Sequence, residues 1–466
     1  MPSNRDQQLY ALIKAFADDT RRMSLLFPAS MTGSERRLGH EIAQGLGLQH
    51  TTVLEKKQRV LKLFKISAEE MASRNKKIEQ FQKLMADHKE DLMRESCEGS
   101  TPNPDLVKRL ITAWRASPSA HVTPAKAHSQ FRYFDWNIEW MDDLFVSDDR
   151  FASSANGVPD VPELCQRIAG VILTADPDLI AIQEGPASCA RLDMYQRFYL
   201  RDQYTVLGGL DGDRQRLYFL VRKNGPLCDA QIFKPGQEFL SQPWLFDVNG
   251  DLSLQSYRFT RTPLVISATL ELDGEVFPLY AVCIHTKSKY VNGGEQLWRS
   301  ADPDVKQQFV ATSVKNRRRL AAECGRVRKM MDRLIFKDDP VTPLVVISGD
   351  FNDSIGNDYF EEFYLLFDSV SALLGSPFSS ERLLHPLLTK SKFMDTQKQF
   401  TAIFDDFVDG VKNKPCLLDH IFVSDPLLPR IKTAMILHEL FERYSSGSGR
   451  SRRPSDHRPV MFDISF

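Results

Sequence analysis

A chain of 466 residues with 42% hydrophobic and 26% charged side chains and a formal net charge of −1 carries ample apolar material for a packed core, which excludes disorder throughout. No stretch reaches the roughly 20 uninterrupted apolar residues of a membrane span, and the polar start Met1–Tyr10 lacks the basic-then-apolar pattern of a secretory leader, so an intracellular, cytoplasmic protein is expected. The seven cysteines are scattered, odd in number and never spaced C-x-x-C, which favours buried thiols over a disulfide framework or a zinc site.

In chain order, Asp6 to about Leu26 places Leu9, Leu12, Ile13, Phe16 and Met23 at helical spacings, predicting an amphipathic helix. A second helix follows the cap-like Thr32-Gly33-Ser34-Glu35, with Leu38, Ile42 and Leu46 every four residues, and stops at Gly45-Leu46-Gly47-Leu48. A turn at Thr51–Glu55 then leads into a basic and apolar strand over Gln58–Lys65. Met1–Ile66 holds eleven Lys/Arg against six Asp/Glu, so a basic amino-terminal module precedes an acidic remainder. That distribution is a reasonable footprint for an anionic polymer. Ser67-Ala68-Glu69-Glu70 matches a capping box and opens a charged helix to about Ser96, striped by Met71, Ile78, Phe81, Met85 and Leu92. From Gly99 to about Gln130 the composition shifts to Ser, Pro, Thr and Ala around a short helical pattern at Asp105–Trp114, which reads as a linker.

Beyond the linker, short apolar strands alternate with helical segments: Phe131–Trp136, Leu179–Gln183, Leu217–Val221, Leu264–Leu270, Leu279–His285, Leu344–Ser348, His420–Val423 and Val460–Ile464, with helices over Pro162–Thr174 and Val305–Leu334. The expected fold class is α/β, a two-sheet α/β sandwich preceded by a small α+β module and a helical linker. The expected division is residues 1–66, 67–125 and 126–466.

Polar residues collect where these strands end. Asn137 and Glu184 follow the first two, His285 closes the fifth, Asp350 and Asn352 follow the sixth, Asp419 opens the seventh, and Asp456-His457 precedes the last. Strand ends are where side chains distant in sequence converge in a cleft. A carboxylate with an amide, such as Glu184 with Asn137, offers the hard oxygen ligands that Mg²⁺ or Mn²⁺ takes. A His457–Asp419 pair can orient an imidazole to withdraw a proton from water. Asp350 can position that water or protonate a leaving oxygen, and His285 and Asn352 can donate to developing charge. Hydrolysis of a phosphate ester fits this set.

Ile182-Gln183-Glu184, Gly349-Asp350-Phe351-Asn352, Leu418-Asp419-His420-Ile421 and Ser455-Asp456-His457, in this order, resemble the endonuclease/exonuclease/phosphatase superfamily, the fold of deoxyribonuclease I, over about Phe131–Phe466. The resemblance implies that Asn137 and Glu184 hold the metal with help from Asp456, that His457 is catalytic and oriented by Asp419, and that Asp350 and Asn352 sit on water and phosphate. It implies a tyrosine at the place of His285 in abasic-site endonucleases, which speaks against that branch. His285-Thr286-Lys287-Ser288-Lys289 looks like the H-x-K-S-K run of some bacterial nucleases of the group, with Lys287 on a backbone phosphate, and Arg261 matches a family arginine before a core strand. Lys315, Arg317, Arg318, Arg319, Arg326, Arg328 and Lys329 of helix Val305–Leu334 read as a solvated, ion-paired face, with a polynucleotide track as the alternative. Arg36 and His40, four apart on one helix face, and the surrounding pattern over Asp6–Ile66 resemble the R-three-H domain, a fold associated with single-stranded nucleic acid.

The expectation is therefore a Mg²⁺- or Mn²⁺-dependent nuclease acting on single-stranded RNA or DNA. Its alternatives are a phosphatase or phosphodiesterase of a small or lipid phosphate ester, such as an inositol phosphate, and a non-catalytic nucleic-acid-binding regulator.

Overall fold

In a computed structural model the chain divides into two compact units, Met1–Lys126 and Ala127–Phe466. The structure describes residues 4–18, 24–27, 38–43, 46, 48–55, 58–64, 128–210, 215–336, 343–356, 358–390, 392–393 and 398–465. The predicted helix from Ser67, the linker and the pattern at Asp105–Trp114 lie outside them, as does Arg36.

In the smaller unit, helix α1 (Asn4–Asp18) lies with a helical stretch over 38–43 and a three-stranded antiparallel sheet of β1 (Ser24–Leu26), β2 (Gln49–Glu55) and β3 (Gln58–Phe64), ordered β1-β3-β2. Ile13, Phe27, Ala43, Leu48, Leu61 and Leu63 form its core. Two expectations are corrected here. The helix predicted to run to Leu26 ends at Asp18 and Ser24–Leu26 pairs as a strand, while the predicted turn at Thr51–Glu55 is part of β2. Thr51, Thr52 and Val53 are β-branched, a residue type that favours a strand over a turn.

The larger unit is a two-sheet α/β sandwich. The first sheet contains β4 (Phe131–Asn137), β5 (Leu179–Gly185), β6 (Tyr204–Gly208), β7 (Arg216–Arg222), and the late strands β16 (Ile431–Ile436) and β17 (Val460–Ile464), in the order β16-β17-β4-β5-β7-β6. The second contains β8 (Leu227–Ile232), β9 (Leu264–Leu272), β10 (Glu275–His285), β11 (Leu344–Asp350), β12 (Leu384–Pro386) and β15 (Asp419–Ser424), in the order β8-β9-β10-β11-β15-β12. A hairpin of β13 (Ala402–Asp406) and β14 (Val411–Cys416) stands apart from both.

Parallel strands need a crossover, and here both crossovers are helices. Helix α2 (Val161–Ala175), capped by Asp160, whose carboxylate accepts from Glu163 N at 2.9 Å, joins β4 to β5. Helix α5 (Pro303–Leu334), capped by Asp302, joins β10 to β11; helices α3 (Cys189–Tyr199) and α4 (Lys234–Ser241) complete the outer layers. Central strands are thus covered on both faces, which is why β5 and β11 read as nearly continuous apolar runs. Phe131, Tyr133, Ala181 and Phe219 meet Leu270, Ala281, Val346 and Ile421 between the sheets. Among the described residues no helix is long and apolar enough to cross a membrane.

The ion pairs expected on the basic face of α5 are present, though several of its guanidiniums are partly buried rather than solvated. Arg317 is buried on Asp358, Arg318 bonds Asp247, Arg328 bonds Asp332 and two carbonyls, and Arg326 lies 3.8 Å over the Phe239 ring. These guanidiniums fasten loops to the helix.

Candidate active site

Strand register assembles the first part of the site. His285 pairs with Asp350 across the parallel β10–β11 ladder, and Asp350 pairs with Asp419 across the antiparallel β11–β15 ladder, so three strands present these residues in one row. Gly349 makes the close approach possible: at φ 145° a Cβ would stand 1.8 Å from the Ile284 carbonyl oxygen, a collision no side chain escapes. On the facing sheet, Asn137 ends β4 beside Gln183 of β5, and Glu184 follows in the left-handed region at φ 57°.

A hydrogen-bond chain ties β17 to the site. Ser455 Oγ donates to the Asn137 carbonyl at 2.7 Å and accepts from His457 N at 3.1 Å, while Trp136 Nε1 donates to the His457 carbonyl at 2.8 Å. Thr401 Oγ1 accepts from Leu418 N and Asp419 N at 3.0 and 3.1 Å and so fixes the start of β15.

Asp350 Oδ2 is the centre. Asn137 Nδ2 donates to it at 3.0 Å, His285 Nε2 stands at 3.4 Å and His457 Nε2 at 3.9 Å. Asp350 Oδ1 accepts from Asn352 N at 2.8 Å, a bond that the left-handed turn at Asn352 (φ 52°) permits. His457 Nδ1 bonds Asp419 Oδ2 at 2.7 Å. Glu184 Oε1 lies 3.5 Å from Asn137 Nδ2, and its other oxygen accepts from Trp140 N at 2.9 Å.

The electrostatics follow from burial and these neighbours. Burial, followed by Asp419 and Glu184, pushes the Asp350 carboxyl up to about 7 against the opposing pull of His457. Burial alone would lower His457, but Asp419 and Asp350 overcome it and hold the imidazole well above its ordinary value. Burial, then Arg261 and His457, keep His285 well below its ordinary value, hence neutral. Asn137 Oδ1, Asp419 Oδ1 and His285 Nδ1 are buried with no hydrogen-bond partner among the described residues. Unpaired buried oxygens cost free energy unless a ligand answers them.

The remaining predicted residues divide. Arg261 stands behind the cluster, its Nη2 donating to the Thr286 carbonyl at 3.2 Å, within the field of Asp350, Glu184 and Glu323. Lys287 is on the rim, half-buried, with its backbone N–H on Glu323 Oε2 at 2.8 Å. Asp456 faces Glu139, whose carboxyl is raised by burial and by Asp456 against Arg453 and Arg450. His40 is half-buried on the 38–43 helix of the other unit.

Three residues were not anticipated. Glu139 could have been found as an acid two positions past Asn137 at the same strand end. Glu323 could not, since it comes from the middle of α5, where it receives Tyr257 Oη at 2.7 Å. Trp140 gave no signal, because its part is set by a backbone conformation.

No family model matches the sequence, and no curated protein does either. Solved structures similar to the larger unit include an endonuclease/exonuclease/phosphatase family protein of Bacteroides thetaiotaomicron, 15% identical over 73% of this chain and 99% of its own, with a TM-score of 0.41. A mannosyl-6-phosphatase from the same organism is 14% identical over 72% and 100%, with a TM-score of 0.40. D. rerio TDP2 complexed with single strand DNA product is 13% identical over 72% and 100%, with a TM-score of 0.37. These likenesses are too distant to transfer a substrate.

Proposed function

We propose that this chain is a divalent-metal-dependent phosphodiesterase of the endonuclease/exonuclease/phosphatase type that hydrolyses single-stranded RNA or DNA. The observation that carries the reading is the convergence of three nitrogens on Asp350 Oδ2 beside buried oxygens of Asn137 and Asp419 that have no hydrogen-bond partner among the described residues.

Those donors fit a hard cation. Asn137 Oδ1 and the Glu184 carboxylate are the oxygens that would hold Mg²⁺ or Mn²⁺, with Asp456 nearby. When bound, the ion supplies Lewis-acid stabilisation of charge on the phosphate. The chain's own residues do the rest. Asp350, poised near neutrality, takes a proton from water as the oxygen–phosphorus bond forms, and the bond from phosphorus to the leaving sugar oxygen breaks as that oxygen takes a proton from solvent. His457, kept charged by Asp419, donates Nε2–H to a phosphate oxygen, and neutral His285 donates alongside it. In this proposal Asp350 takes the base's part that sequence suggested for His457, because an imidazole lying between two carboxylates keeps its proton.

Arg261 and Lys287 bring positive charge to the same cleft for flanking phosphates. Arg36 and His40, in an R-three-H-like module, would capture the strand, and the covalent tether raises its concentration at the cleft. The test is cleavage of end-labelled single-stranded RNA, single-stranded DNA and duplex DNA with Mg²⁺, Mn²⁺ or EDTA. Metal-dependent cutting of a single strand, lost about 1,000-fold or more in His457→Ala, is expected. Equal rates for His457→Ala and wild type overturn the assignment, and a chain that cuts no polymer but releases phosphate from an inositol phosphate moves it to the small-ester class.

A further inference from the structure

Trp140 sits where a bulky residue is disfavoured. Its backbone is left-handed, φ 48° and ψ 51°, a conformation costly for any residue with a Cβ and normally left to Gly or Asn. The surroundings enforce it. Trp140 N donates to Glu184 Oε2 at 2.9 Å, and its carbonyl accepts from Asp143 N at 3.0 Å and Arg450 Nη2 at 3.1 Å. Arg450 further binds Asp143 Oδ2 at 2.8 Å and the Glu139 and Asn156 carbonyls at 3.2 Å, so the loop is clamped.

Everything that this clamp needs from residue 140 is backbone. Glycine would give the same N–H to Glu184 and the same carbonyl to Arg450 without strain. The indole is nonetheless there, 45% exposed, and among the described residues no hydrogen bond engages its Nε1. It lines a groove of about 1000 Å³ with Phe145, Val146, Arg191, Gln215 and Arg261. Arg191 is answered by Asp142 at 2.6 Å and Asp148 at 3.1 Å. Arg261 donates only to a carbonyl among the described residues, and its Nε is buried without a partner. A rigid aromatic platform, an amide edge and an anion-seeking guanidinium in one groove are the recognition elements of a nucleotide.

We infer that Trp140 is a specificity residue on which one unpaired nucleobase next to the scissile phosphate stacks, with the phosphate of that nucleotide directed to Arg261. The inference rests on the nuclease reading above and deepens it: cleavage position is set by a base that must leave any duplex to reach the indole. It separates the strain at residue 140 from the catalytic work of Glu184, which needs only the backbone.

The experiment moves a single abasic residue through a short end-labelled single strand and measures kcat/KM for wild type, Trp140→Gly and Trp140→Phe in the metal that supports cleavage. Wild type is expected to lose about 5- to 100-fold at one abasic position. Trp140→Gly should cut the fully based strand that much more slowly, show no further loss at that position, and melt no lower than wild type, since glycine relieves the backbone. Trp140→Phe should restore most of the rate. If wild type cuts and the abasic profile of Trp140→Gly is the same as its own, this inference falls and the nuclease reading stands. If wild type cuts no oligonucleotide, both fall.

Discussion

Among the described residues of the larger unit, two acid clusters have the geometry of a metal site, Asp350–Asp419–His457 and Asp353–Asp358–Glu361, each with ligand atoms within 4.8 Å of one another. They differ in what answers the charge. In the second, Lys289 Nζ bonds Asp353 and lies 3.0 Å from Asp358, and Arg317 grips Asp358 with Nε at 2.9 and 3.0 Å and Nη2 at 2.5 Å. Glu361 accepts from the backbone of Asp358 and Ser369. In the first, the neighbours are other acids, imidazoles and an amide whose oxygen is left without a partner. Proximity of carboxylates therefore says little. A cluster whose acids are gripped by cations, as Lys289 and Arg317 grip Asp353 and Asp358, is a fastener, and one whose acids face only other acids, imidazoles and an amide is the candidate for a ligand.

The comparison breaks most visibly on activity. Glu184→Gln keeps an acceptor for Trp140 N but loses the carboxylate, so turnover is expected to drop about 1,000-fold with a folded chain. Added Mg²⁺ should raise the melting temperature of wild type and not of Glu184→Gln, because only a state that binds the ion gains from it. Asp358→Asn should do the reverse. Leaving Arg317 and Lys289 partly buried without their shared carboxylate is expected to cost about 3 kcal/mol while turnover stays within a few-fold and the Mg²⁺ shift persists. A Mg²⁺ shift lost in Asp358→Asn and kept in Glu184→Gln would exchange the two clusters. Burial opposes ionisation of Asp358, yet Arg317 and Lys289 hold its carboxyl well below the usual range. Its stabilisation is therefore full above the unfolded value of about 3.9 and shrinks as pH falls below it. Acid melts of wild type and Asp358→Asn should converge accordingly.

The sandwich was legible because strands buried on both faces are continuous apolar runs, and β4, β5, β7, β11 and β17 start or stop within about two residues of where composition placed them. Partly exposed strands such as β6, β8, β12 and β16 passed unread, since their burial comes from partners distant in the chain. At the site, Asn137, Glu184, His285, Asp350, Asp419 and His457 were readable as polar residues at strand ends. That Asp350 rather than Glu184 lies at the centre was not, because it depends on register across β10, β11 and β15. Nor could spacing tell Lys289 and Asp358, a fastener, from the candidate site row four residues earlier at His285. Glu323 and Trp140 were invisible because neither lies at a strand end: one comes from the middle of α5, the other from a left-handed position in the loop after β4.

The smallest effect sharpens the rule from the opposite side. Asp135 is fully buried between the sheets, where its Oδ1 accepts from Ser348 Oγ at 2.6 Å and Gln183 Nε2 at 2.8 Å, and its Oδ2 has no partner. No cation answers it among the described residues, and burial pushes its carboxyl well above the usual range, which favours the protonated form. It is an acid in name and a neutral hydrogen-bonding group in practice. Asp135→Asn should then change stability by less than about 1 kcal/mol below about pH 3, where both folded and unfolded carboxyls carry their protons. Above that the sign is opposite to Asp358. A raised folded value gives stability that is complete below the unfolded value of about 3.9 and lost as pH rises through the folded one, so the Asn variant should gain on wild type with each step toward neutrality. Melting temperatures of the two proteins across this range decide it: a wild type that gains on Asp135→Asn as pH rises would mean an ionised, partnered carboxylate between the sheets, and matching of charge would no longer separate the clusters.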